Sequence, residues 1–346
     1  TSMSVLSRIQ WHDRPTDGIA RYLSDARTRV TAWATDGART NLPDGESLIP
    51  MADRERTVSL RPVSDDVRAL DGVEGIVRDR MTDAGTITRW TVVVRAAGDD
   101  GRVNVMVENR LETTDPTGPV RIEHPRVVDD LLAIPGKPRF GALPLLSAPE
   151  PVPAGAVPIL VNEVLRLPGR LLPVIVCTQP ERGDDAWLER AHRIAERTRG
   201  FANVFTLDRS AAGALCARLG NLAAHNGCVR IYSQAPLDPG SDGLRHRCFP
   251  PDPFRLSPDA DIDRVVATAA ALSARLSAPP ALTVFSSPGR TDDGAASDRV
   301  PALETDLSEA LSRIDVLSDE LEERDNEVNR LHGHLARLRE ELERAG

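Results

Sequence analysis

The chain has 346 residues, a formal net charge of -9, 40% hydrophobic residues and 3% aromatic residues. That apolar content supports folded cores and excludes a disordered polyelectrolyte; the acidic balance, with few rings to stack on bases, argues against a surface built mainly for nucleic acid. Four cysteines without C-x-x-C spacing, no apolar run of membrane length and no secretory leader lead to the expectation of a reduced, cytoplasmic protein without structural zinc or a membrane span. Among the 43 basic residues only Lys137 is a lysine. The one Gly-Lys pair, Gly136-Lys137, is followed by Pro138 where a phosphate-binding loop needs Ser or Thr. Lysine-dependent covalent chemistry would have to use that same residue.

Taken in order, residues 16–35 place Ile19, Tyr22, Leu23, Ala26, Val30 and Trp33 at helical spacing, with Thr16 or Asp17 able to cap the helix. Strands are expected at 57–60, 75–78, 86–95 and 102–108, the last two joined as a hairpin around Gly98 to Gly101. A short helix over 125–133 completes an α+β domain of residues 3–133. Residues 134–158 read as a proline-rich connector.

Residues 159–285 alternate short β-branched runs with helical ones of about 14 residues, the pattern of a small three-layer α/β domain with a parallel sheet. The strands are expected at 171–176, 204–207 and 229–232, the helices at 186–199 and 211–224, with Gly200 and Gly227 as their stops. A helix over 262–276, capped by Asp259, and a final strand over 282–285 follow. Residues 286–300 are a glycine- and serine-rich linker, and 301–346 a coiled coil.

The coiled coil is the most specific signal. Leu307, Ile314, Leu321, Val328, Leu335 and Leu342 repeat every seven residues at one seam position. Leu303, Ala310, Leu317, Arg324, Leu331 and Leu338 occupy the other. A helix of about 40 residues extends roughly 60 Å, more than a domain of this size can cover, so it calls for a partner helix. Self-association, as a dimer, or a heterologous coiled-coil partner are both expected. The repeat runs into the last residues without a stop signal, which suggests that the natural protein continues towards an effector.

In an open parallel sheet ligands bind beyond the carboxyl ends of the strands. The candidate ligand-binding residues there are Thr178, Gln179, Arg209, Ser210 and Ser233. Asp208, with Glu163 one element away, is the candidate carboxylate couple for metal or acid–base chemistry, although Asp208 or Ser210 equally suits a helix cap. Arg245, His246 and Arg247 form a cluster able to clamp a phosphate or carboxylate, or to latch a loop to the acidic surface. No G-x-G-x-x-G turn is present, and no cofactor or metal is identified. The expected function is therefore an interaction protein, adaptor or sensor, working through its coiled coil; phage defence enters by architectural analogy alone. The rival is a metal-assisted hydrolase or nucleotide-processing enzyme at the sheet's carboxyl edge.

Overall fold

Long strands with one buried face build the first half of the chain. In the computed structural model the described residues are 2–66, 69–83, 85–99, 101–114, 122–181, 186–235, 237, 243–250 and 258–286. The heptad residues between 303 and 342, and all of the expected linker except residue 286, lie outside them. β1 (Ser2–Asp13) leads into α1 (Ile19–Ala34), then β2 (Gly45–Pro50), β3 (Glu55–Asp65), β4 (Leu70–Asp83), β5 (Thr86–Asp99) and β6 (Arg102–Thr113). α2 (Arg126–Leu132) and two short strands, β7 (Arg139–Phe140) and β8 (Leu143–Pro144), follow. The eight strands form one antiparallel sheet in the order β2-β3-β4-β5-β6-β1-β7-β8. The expected hairpin is present, Asp99 pairing with Arg102, and the strands are longer than the sequence pattern indicated. α1 starts after Gly18, which makes no side-chain cap, so neither Thr16 nor Asp17 fills that role.

The second sheet is smaller and mixed. β9 (Glu150–Pro151) is followed by α3, an α turn (Val157–Ile159) continued by π-helical Leu160–Leu165, and by β10 (Val174–Thr178), α4 (Ala186–Thr198), β11 (Asn203–Leu207) and α5 (Arg209–Leu219). β12 (Val229–Tyr232), β13 (Cys248–Phe249) and α6 (Pro258–Ala274) complete it, with strand order β13-β12-β10-β11-β9. β10 and β11 are parallel, as their intervening helix requires, and all five residues of each are buried. The expectation of a wholly parallel sheet fails at the third strand: β12 runs antiparallel to β10, with Val174 opposite Tyr232 and Cys177 opposite Val229. α5 stops at Leu219, before Gly220 (φ +55°) and well short of Gly227, and residues 220–228 carry the chain back to where α5 began. Hydrogen bonds from Gly227 N to Gln179 O (3.2 Å) and Thr178 N to Cys228 O (3.0 Å) fix it there. The expected strand over 282–285 is a 3-10 helix (Pro280–Ser286).

α3 and α5 cover one face of the small sheet, with Val174, Val176, Phe205 and Leu207 beneath them. The other face, through Ile175, Cys177 and Val204, joins α4, α6 and the large sheet in one continuous apolar core. α6 also closes an edge. β7 pairs with β1 only at His12, and further along β1 the Arg8 amide donates to Ser273 Oγ (3.2 Å) while Gln10 Nε2 donates to Ser277 O (3.1 Å). Gly200 (φ +85°) ends α4 as the sequence suggested, and a Cβ there would lie 2.7 Å from Ile9 Cγ2 of β1, so only glycine lets the two sheets approach.

Buried carboxylates on the large sheet are held by arginines. Glu108, 2% exposed, binds Arg8 Nη2 at 2.6 Å and also pairs with Arg110. Burial by itself raises the Glu108 pKa, but the two guanidinia outweigh it and hold the carboxyl below its usual range. A depressed carboxyl pKa contributes stability above the unfolded value near 4.3, and that contribution is lost as pH falls through the lower folded value. The stability difference between the natural chain and Glu108→Gln, measured by urea denaturation, should therefore be constant above about pH 5 and shrink below about pH 4.

Candidate functional site

The carboxyl ends of β10 and β11 do bring Thr178, Gln179, Asp208 and Arg209 together, but the geometry is that of a closed joint. Asp208 Oδ1 accepts from Ala211 N at 2.8 Å, capping α5. Arg209 N donates to Gln179 Oε1 (3.4 Å) and Arg209 Nε to Pro180 O (3.0 Å). The buried Thr178 hydroxyl sits between the carbonyls of His225 and Cys228 and accepts from Cys228 N at 3.1 Å. Ser210 is exposed on the first turn of α5, and Glu163 is exposed on the π-helical turn. Among the described residues no group of three or more His, Cys, Asp or Glu side chains is arranged to hold a metal ion.

Because β12 is antiparallel, Ser233 emerges at the opposite end of the sheet. The arginine cluster is divided as well. His246 is fully buried, its ring 5.8 Å from that of Tyr232, whereas Arg245 and Arg247 are exposed and Arg247 Cζ lies 5.1 Å from the Phe249 ring. Ser233, Arg245 and Arg247 meet at a cavity of about 510 Å³ against α6. Thr268 and Leu272 of α6, with Arg275 and Leu276 just past its end, form one wall, and Ile231 with Gln234 contributes from the strand side. A spacing of four along α6 puts Thr268 and Leu272 on one helix face, a signal the sequence carried but which only the antiparallel turn of β12 makes meaningful.

Behind the cavity two buried guanidinia hold its backbone. Arg170 donates to Leu172 O (2.8 Å), Tyr232 O (3.2 Å) and Ser233 O (2.6 Å). Arg230 donates to His246 O (3.0 Å), Asn221 O (2.7 Å) and Ala223 O (2.9 Å). Each is 4% exposed and its hydrogen bonds go to carbonyls, with no carboxylate paired to it among the described residues. Burial pulls the Arg170 pKa down to about 10, as expected of a desolvated guanidinium without a counter-ion.

No family model, no curated protein and no solved structure matches this chain. Among the described residues no helix is long and apolar enough to cross a membrane.

A second recess, about 460 Å³, opens on the large sheet below the end of α1 and is lined in part by Trp33, Met81, Trp90 and Arg126. Its arginines are mostly neutralised: Asp79 holds Arg56 at 2.6 Å through both oxygens, and Arg54 pairs with Asp53 at 2.8 Å. Sequence reasoning missed it because Trp33 and Trp90 lie on separate elements, each with an ordinary place in its own apolar pattern.

Proposed function

We propose that this chain is a cytoplasmic adaptor or sensor. The body formed by residues 2–286, its second half a small α/β domain, recognises a partner or ligand, and the heptads over 301–346 form a coiled coil that joins it to a second copy, to a heterologous helix or to an effector. One observation carries the choice between binding and catalysis. The Asp208 carboxylate, which a hydrolase at this edge would use for a metal or a proton, has one oxygen engaged in capping the first turn of α5. Thr178, Gln179 and Arg209 are likewise bonded to neighbouring backbone or to one another.

Deleting residues 301–346 tests this directly. Light scattering should report an oligomer for the full chain and a monomer for the truncated one, with the thermal transition of the body shifted little, since a coiled-coil seam is buried against its partner helix. An unchanged mass contradicts joining to a second copy.

A further inference from the structure

We propose that the cavity between the end of β12 and α6 is a binding site for a small phosphate monoester, with Arg245, Arg247 and Arg275 gripping the phosphoryl group and the apolar wall receiving the ligand's carbon skeleton. Charge distribution is the first support. In a chain of net charge -9, most described arginines on the large sheet face a carboxylate, as Arg8, Arg56, Arg61 and Arg95 do. Arg245, Arg247 and Arg275 all line this cavity, and among the described residues no carboxylate is paired to any of them and none belongs to the lining. Two more, Arg170 and Arg230, stand behind it on carbonyls alone. Gathering like charges is unfavourable unless an anion compensates them.

The donors match a tetrahedral dianion. Guanidinium forks bind phosphate oxygens bidentately, and three of them exceed what a single carboxylate neutralises. Ser233 Oγ accepts from Ala235 N at 3.3 Å, which leaves its hydrogen to donate to the ligand. Arg170 and Arg230 are positioning residues: through Ser233 O and His246 O they fix the two backbone segments that present Ser233, Arg245 and Arg247. Beside the arginines, Ile231, Leu272 and Leu276 offer an apolar surface that inorganic phosphate leaves unused. A cavity of about 510 Å³ falls within the size range of small-ligand sites.

The inference draws on nothing in the heptad stretch, so a monomeric full chain leaves it standing. Calorimetric titration of the full chain with AMP, glycerol phosphate, inorganic phosphate, methyl sulfate and a DNA duplex separates the sources. Saturable binding of at least one ester is expected, roughly tenfold or more tighter than inorganic phosphate, and weakened roughly tenfold or more in both Arg247→Gln and Arg275→Gln. Both side chains are exposed, so neither variant threatens the fold. Ester affinity should also fall as pH drops through about 6, where the ester takes up its second proton while guanidinia stay charged; methyl sulfate, which does not titrate there, should show no such fall. Absence of binding by both esters, equal binding by the two arginine variants, parity between esters and inorganic phosphate, or preference for the duplex would each overturn the assignment.

Discussion

Replacing Trp11 by alanine should destabilise the chain by about 3–5 kcal/mol, the range for removing a large buried aromatic side chain. Trp11 is 2% exposed, lies in β1 opposite Val105 of β6, and belongs to the core shared by the two sheets. Its indole Nε1 lies 3.4 Å from the Tyr22 hydroxyl of α1, a long contact, so the loss is mainly one of packing. Burial pushes the Tyr22 phenol up to about 12. Because β1 also carries the edge closed by α6, the cavity opened at Trp11 borders both halves of the body. One cooperative urea transition should move to lower denaturant with its slope unchanged. A shift worth less than about 1 kcal/mol would show that the neighbouring side chains collapse into the space.

Replacing Glu74 by alanine should cost about 3 kcal/mol, the lower end for breaking a buried ion pair, because one of its partners is half exposed. Glu74 is 3% exposed and each carboxylate oxygen is taken at 2.6 Å, one by Arg61 Nε and one by Arg95 Nε. Those arginines in turn hold the 3-10 helix at 280–286: Arg61 Nη2 donates to Phe285 O at 3.2 Å, and Arg95 Cζ lies 5.6 Å from the Phe285 ring. Leu282, Val284 and Phe285 pack there on Leu70, Ala97 and Met106. The alanine variant strands two guanidinia and should raise amide exchange in 280–286 before the rest of the body opens. Removing Arg95 as well should recover part of the loss; a double variant no better than the additive sum would refute the coupling.

What the sequence displayed was periodicity, and it located α1, α2, α4, β5, β6 and β10 to β12 within a few residues. β1 escaped it because buried polar residues interrupt the alternation: Ser7, Gln10 and Asp13 are all 2% exposed or less, and the register shifts between Val5 and Ser7. The direction of β12 was hidden for another reason. A helix followed by a strand implies a parallel crossover only when the connection returns to the starting edge of the sheet, and residues 220–228 instead climb back beside Thr178. That reversal moved Ser233 away from Asp208 and towards Arg245 and Arg247. Arg275, which lines the cavity, and Arg170 and Arg230, which hold its backbone from behind, come from places with no motif; their grouping arises only when β12 and the end of α6 are brought together.

The decisive measurement is sedimentation equilibrium of the full chain at micromolar concentration beside a variant carrying Leu317→Asp and Leu321→Asp in the heptad seam. Joining through that seam predicts a dimer mass for the natural chain and a monomer for the variant, because a carboxylate in the seam must be buried unpaired. A natural chain that sediments as a monomer, or a variant with unaltered mass, contradicts joining to a second copy and leaves only a heterologous helix or an effector as the partner.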